Sequence, residues 1–272
     1  MGAVRAHRAR LGWTVPPVGR GVCASCHGPA RHGARHDAAD CWCCHAVARR
    51  LGRATRPRRV VVPVAAYRTG DALHAVLRGY KDGPTGDARE HFASALVHHL
   101  GGFLARHDGC IADAAGATWD SVAVVPSSTR VPIWSTSPPS GRGRPVVAHP
   151  LERVVTRVPR LAALPRVALA SGAGDSGHLA PDPAAVVVSG PIAGRRVLLV
   201  DDTWVTGARL SAAAVAVESA GAAVVALVVA GRVVDSPGTA AARWWDAVEE
   251  RVNSADDRCC LDACRWAAAV SA

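Results

Sequence analysis

The chain has 272 residues, enough for one α/β domain with a small appendage. Hydrophobic residues make up 49% of it and aromatics only 4%, so Ala and Val must fill most of a sizeable core. The formal net charge of +10 suits a polyanionic partner, either nucleic acid or a phosphate-rich small molecule. The chain uses Arg almost throughout and has a single lysine, Lys81, so composition alone also accounts for that charge.

No secretion signal is expected, because the first twenty residues are basic and lack an apolar core segment. The most apolar stretch, Ala212–Ala230, is broken by Glu218 and Gly221, and a buried helix–strand pair explains it better than a membrane span. A soluble cytoplasmic protein with no membrane partner is therefore expected. Its nine cysteines should be reduced there, which makes metal binding the leading reason to cluster them.

In chain order, residues 1–20 read as a basic disordered arm and residues 21–50 as a Cys-rich, zinc-ribbon-like module. Residues 51–59 read as a linker, and residues 60–235 as the main α/β domain. Residues 236–272 form a tail with a helix near Ala241–Val252 and three further cysteines. Within the main domain, Val60–Val64 is a short strand. Asp71 caps a helix over Ala72–Arg78, which Gly79 ends. Phe92, Leu96, Phe103 and Leu104 recur at helical spacing and predict a helix over about Arg89–His107. A strand follows at Val122–Val125, then a Ser/Pro/Gly/Arg-rich loop over Pro126–Pro145. Pro150 starts a helix with Leu151, Val154, Val155 and Val158 on it. Strands follow at Val167–Ala170 and Ala185–Val188. Strand Arg196–Val200, helix Ala208–Ala220 and strand Ala223–Val229 then form a βαβ unit, with Gly221 ending its helix.

The two cysteine pairs, Cys23-x₂-Cys26 and Cys41-x₂-Cys44, can present four thiolates tetrahedrally to Zn²⁺. Cys43 is an alternative to Cys44, and His27 or His45 to a cysteine. A segment this short and polar needs the metal to fold, so the role is structural. Cys259, Cys260 and Cys264 have no second pair, and either pack against the ribbon or stay inert.

The chemistry concentrates in Val197–Arg209. Four apolar residues end in Asp201 and Asp202, at the strand end where open α/β sheets bind ligands. Thr203, Trp204, Val205, Thr206, Gly207, Ala208 and Arg209 then run into a helix, whose N-terminus and backbone N–H groups suit an anion. Carboxylates repel phosphate and accept hydrogen bonds from sugar hydroxyls. A ribose 5-phosphate satisfies both halves, with the acids on its 2- and 3-hydroxyls and the loop on its phosphate. Metal binding is a second use for the acids.

This segment resembles the phosphoribosyl-pyrophosphate-binding signature of type I phosphoribosyltransferases. The N-terminal cysteine pairs, Tyr80-Lys81-Asp82-Gly83, the strand end Val124-Val125-Pro126 and the signature match, in that order, the ComF family of competent bacteria. The resemblance covers roughly residues 20–235. It implies a mainly parallel open sheet flanked by helices, of the type I phosphoribosyltransferase kind. It also implies binding of 5-phosphoribosyl-1-pyrophosphate with Mg²⁺ and transfer of the phosphoribosyl group to a nitrogen acceptor. Asp201 and Asp202 would serve catalysis. Ser127, Ser128, Thr129 and Arg130 lie where the family places its pyrophosphate loop, and Lys81 is a further donor. Trp204 stands where a small aliphatic residue is usual, Val205 replaces a threonine, and the family's Arg-Gly-Phe-Asn element is missing. An alternative is a non-catalytic accessory or sensor protein that uses the ribbon and the Arg-rich arm on single-stranded DNA.

Other signals are weaker. Gly172-x-Gly174-x-x-Gly177 fits a dinucleotide fingerprint, but Pro181 and Pro183 forbid the helix that must follow, so it reads as a loop.

Overall fold

The computed structural model describes residues 11–30, 40–52, 59–127, 149–234, 240–252, 258–261 and 264. Short aliphatic runs build a parallel sheet: β1 (Val60–Pro63), β3 (Ser121–Val124), β6 (Arg196–Trp204) and β7 (Ala223–Val233), in spatial order β1-β7-β6-β3. A two-residue strand, β2 (Ala66–Tyr67), extends the β1 side along β7. A hairpin, β4 (Ala168–Ser171) with β5 (Val186–Ser189), forms a separate antiparallel pair.

Alternate residues of the parallel strands face opposite ways. Leu198, Val200, Ala226 and Val228 face one side. There they meet α2 (Ala72–Asp82), α3 (Gly86–Ala115), α4 (Leu151–Val155), α5 (Pro159–Ala162) and α7 (Ala240–Val252). Val197, Leu199, Leu227 and Val229 face the other side, against α6 (Ala208–Ser219) and the cysteine module, whose helix is α1 (Trp42–Arg50). Both faces are thus covered by helices, which is why these strands read as unbroken apolar runs. Each fully buried Leu on the first side, such as Leu96, Leu100 and Leu104, contributes about 2 kcal/mol by leaving water.

The βαβ unit and the strand at β1 form where the pattern placed them, with both strands of the unit running longer, while the helix after Pro150 stops at Val155 and leaves Val158 as the N-cap of α5. Other boundaries moved for identifiable reasons. α2 runs through Gly79 and ends at Gly83, because Gly79 lets the Phe92 ring of α3 lie against the helix backbone. A Cβ at residue 79 would overlap that ring. Gly79→Ala is therefore expected to destabilise the fold by about 1–3 kcal/mol, despite alanine's better helix propensity. A chemical-denaturation midpoint at or above wild type would contradict this packing. α3 is longer than the apolar spacing indicates, because Thr85 caps it by accepting from Ala88 N at 3.1 Å and Gly116 closes it at φ 66°. β7 extends to Val233 because β6 and β2 still supply partners there, at Arg232 and Val233.

The expected basic arm over 1–20 is not free along its second half. Trp13 exchanges backbone hydrogen bonds with Ala66 at 2.8 and 2.9 Å, and Val15 is buried in the core. Residues 1–10 lie outside the described residues. In the expected linker, Arg59 forms a bidentate pair with Glu218 of α6 at 2.9 and 2.8 Å, and residues 53–58 are outside the described set. Among the described residues, no helix is long and apolar enough to cross a membrane.

Candidate functional site

Strand β6 does not stop at Val200. It continues through Asp201, Asp202, Thr203 and Trp204, held on β7 by the pairs Asp201↔Val229 and Thr203↔Gly231. The acid pair therefore obeys strand alternation, and the two carboxylates serve different neighbours. Asp201 lines a cleft with Thr203, Trp204, Val205, Thr206, Gly207, Ala208 and Arg209. Asp202 turns to α2, where it accepts hydrogen bonds from Tyr80 Oη and the Lys81 ammonium. Both acids are buried, at 3% and 1% exposure.

Burial, and then the neighbouring Asp202, push the Asp201 pKa upward. Burial opposes ionisation of Asp202 as well, but Lys81 and then His149 outweigh it and hold that pKa below the usual carboxylate value. One acid of the pair is thus held ionised by its cation while the other is inclined to keep its proton. Burial pushes the Tyr80 phenol far up, so it stays a donor. The same cause lowers His149 to about 4, so its ring is neutral at pH 7. The His149 Nδ1 accepts from Leu151 N at 3.0 Å, which orients it at the start of α4.

The cradle follows directly. Gly207 is the N-cap of α6 in the left-handed region at φ 76° and has no side chain to cap it; Thr206 Oγ1 accepts from Ala208 N at 3.4 Å. The first turn of α6 carries no acid and does carry Arg209. The remaining first-turn N–H groups and the helix dipole there favour an anion. Trp204 is 4% exposed and packs its indole over Gly207, where a Cβ would overlap the ring. The unusual tryptophan thus fills the floor of the loop, and Gly207 is required both for its φ and for this contact. Val205 is 49% exposed at the loop's tip. Thr206 Oγ1 donates to the carbonyl of His178. That carbonyl belongs to the Gly-rich segment after β4, which with Ser176 and Gly177 walls the cleft. After its glycines this segment forms only a three-residue 3-10 turn, Pro183–Ala185, and no α-helix, in agreement with the loop reading.

Of the expected pyrophosphate loop, Ser127 is described and exposed, and its carbonyl accepts from Ser171 Oγ at 3.1 Å. The register Val124↔Val200 brings it to the same end of the sheet as Asp201, beyond the C-terminus of β3. Ser128, Thr129 and Arg130 lie outside the described residues. Lys81 does not stand alone as a phosphate donor; it reaches the site paired with Asp202. Sequence reasoning missed the roles of Tyr80 and His149 as neighbours of the acids. Tyr80 was legible only as one letter of a motif, and nothing local marks His149.

The four cysteines of the two pairs, Cys23, Cys26, Cys41 and Cys44, come together with their sulfurs within 4.8 Å of one another, a group that could hold a metal ion such as zinc. Cys26 and Cys41 Sγ are 3.8 Å apart. Backbone N–H groups point at the sulfurs, as with Cys41 N to Cys23 Sγ at 3.1 Å and Cys44 N to Cys41 Sγ at 3.4 Å. Cys44, rather than Cys43, completes the group. His27 is not a member: its two ring nitrogens lie 3.1 Å from the carbonyls of Pro16 and Val61, pinning the module to β1. The module also abuts the cradle, since Cys44, Val47 and Leu51 share a cavity with Trp204 and Thr206.

The tail cysteines pack against neither this ribbon nor one another alone. Cys259 and Cys264 meet His107 and Cys110 of α3, on the far side of the sheet from the first group. Comparison with protein-family models found no match to this chain, and comparison with curated proteins found none either.

Proposed function

We propose that the cleft at the end of β6 binds 5-phosphoribosyl-1-pyrophosphate with Mg²⁺ on a type I phosphoribosyltransferase-like fold. The phosphoribosyl group would pass to a nitrogen nucleophile. The observation that carries this reading is the continuity of two buried acids with a helix N-terminus whose N-cap is a glycine, in one short stretch of chain. Few ligands need hydroxyl acceptors and an anion cradle so close together. The loop Thr203–Arg209 takes the 5-phosphate on its backbone N–H groups, with Arg209 adding a side-chain donor. Asp201, on the cleft, accepts from the ribose hydroxyls. Asp202 fixes Lys81 and Tyr80 with Oδ2 and leaves Oδ1 for a cation.

The acids also fit a hard cation, because Asp202 Oδ1 is buried without a hydrogen-bond partner among the described residues. Asp201 and Asp202 would hold Mg²⁺, which supplies charge neutralisation to the departing pyrophosphate. In the transfer, the C1–O bond to pyrophosphate breaks, a C1–N bond forms, and the nucleophile's proton leaves to solvent. The protein contributes position and electrostatics. The four-cysteine group belongs to the same reading as a structural Zn²⁺ site behind the cradle.

Calorimetric titration of the full chain with phosphoribosyl pyrophosphate and Mg²⁺ tests this reading. Wild type is expected to bind, and Asp201→Asn to bind at least about tenfold more weakly, a loss of about 1.4 kcal/mol. Absence of binding by wild type with an intact circular-dichroism spectrum would refute it.

A further inference from the structure

We infer that the chain holds a second structural zinc, bound by His107, Cys110, Cys259 and Cys264. His107 and Cys110 stand three residues apart on α3, so they share one face of that helix. Cys259 and Cys264 come from the segment after α7. More than 140 residues of chain separate the two halves, and their four ligand atoms still lie within 4.8 Å of one another. All four residues are buried.

The spacing fits the metal. Zn–S bonds of about 2.3 Å and Zn–N bonds of about 2.0 Å place neighbouring ligand atoms of a tetrahedron about 3.5–3.8 Å apart. His107 Nδ1 lies 3.9 Å from Cys110 Sγ and 3.8 Å from Cys264 Sγ. The corresponding separation in the first group, Cys26 to Cys41, is 3.8 Å. A backbone N–H also points at a sulfur here, Cys259 N to Cys264 Sγ at 3.4 Å, as it does repeatedly in the first group. The His107 ring is seated by Phe103, with centroids 4.8 Å apart.

The donor set selects the ion. Three thiolates and an imidazole suit Zn²⁺ and exclude Mg²⁺ or Ca²⁺, which want oxygen. With four protein ligands and no exposed member, the site has no open position for water or substrate, so its role is structural. A disulfide does not serve the same arrangement. It would consume two of the three sulfurs and leave the third thiol against the histidine, and all nine cysteines are free. Cys260 is buried as well but stands outside the group. The zinc would fasten the C-terminal segment to the longest helix of the fold. That closes the α3 side of the sheet as the first zinc closes the α6 side.

Metal content of the full-length protein, purified and dialysed against metal-free buffer, decides the matter. Wild type is expected to carry two zinc ions per chain, and Cys110→Ser/Cys264→Ser to carry one. His107→Cys should keep two and, after exchange with Co²⁺, show stronger thiolate charge-transfer absorption than wild type. Should the double variant fail to fold, mass mapping of alkylated cysteines in wild type gives an independent answer. Cys110, Cys259 and Cys264 should become reactive together, and only after zinc is stripped by a strong chelator. One zinc per chain in wild type would overturn the inference. So would a Cys259–Cys264 disulfide in the unreduced protein, or alkylation of these cysteines without chelator.

Discussion

Lys81→Met is expected to cost the protein about 3 kcal/mol at neutral pH, because breaking a buried ion pair leaves the other charge uncompensated. The partner left behind is Asp202, which is 1% exposed and whose Oδ1 already lacks a hydrogen-bond partner among the described residues. Tyr80 would still donate to it, so the loss stops short of that for a wholly abandoned carboxylate. The pH dependence identifies the cause. In wild type, the Asp202 pKa lies below its unfolded value, chiefly because Lys81 outweighs burial. Its contribution is therefore present above the unfolded pKa and lost as pH falls through the folded one. Without Lys81, burial raises that pKa and reverses the sign. The deficit of the variant should thus be largest near neutrality and shrink as pH falls, first through the raised pKa of the variant and then through the depressed one of wild type, below which the carboxyl is protonated in both proteins. Urea denaturation at several pH values checks this; a deficit independent of pH would mean that Lys81 acts only through packing.

Cys26→Ser is expected to remove one zinc per chain and to destabilise the protein by about 3–5 kcal/mol, more than a serine-for-cysteine change ordinarily costs. Two consequences add. Cys23, Cys26 and Cys44 are part of the apolar layer under α6, so loosening the group opens core. Beneath them lies Arg232 of β7, 7% exposed, with Nε and Nη1 lacking hydrogen-bond acceptors among the described residues. Burial works against its charge, and the four cysteines favour it. Gly28 is packed against its guanidinium so closely that a Cβ would not fit. Loss of the thiolates would strand this cation in the interior. Arg232→Met in the Cys26→Ser background should therefore recover part of the loss, though the same change alone destabilises wild type. Thermal melts of the four proteins with parallel zinc analysis measure the coupling; simple additivity would show that Arg232 is indifferent to the cysteines.

Much of the architecture is legible in the chain because it is written in local pattern. Val197–Val200 is uninterrupted and apolar, so it marks a strand covered on both faces. Gly221 stops α6 at φ 88°, and its meaning is clear from the glycine alone. Gly79 shows where such reading ends. As a letter, it looks like a helix stop. Its reason for being glycine is a ring thirteen residues away, on another helix.

The candidate site divides in the same way. The order of residues along Asp201–Arg209 determined the acid pair, the glycine with positive φ and the helix start, since each depends on backbone neighbours only. The pairing of the cysteines 23, 26, 41 and 44 was equally open to reading, because short x₂ spacings imply geometry by themselves. Only the tertiary structure separated the duties of Asp201 and Asp202, since alternation matters once partners stand on each face. Only it brought Tyr80, Lys81 and His149 to the acids, and joined His107 and Cys110 to Cys259 and Cys264. Those meetings depend on where α2, α3 and the tail dock on the sheet. Docking is set by the shape of a packed core summed over many side chains, and no short window of sequence carries that sum.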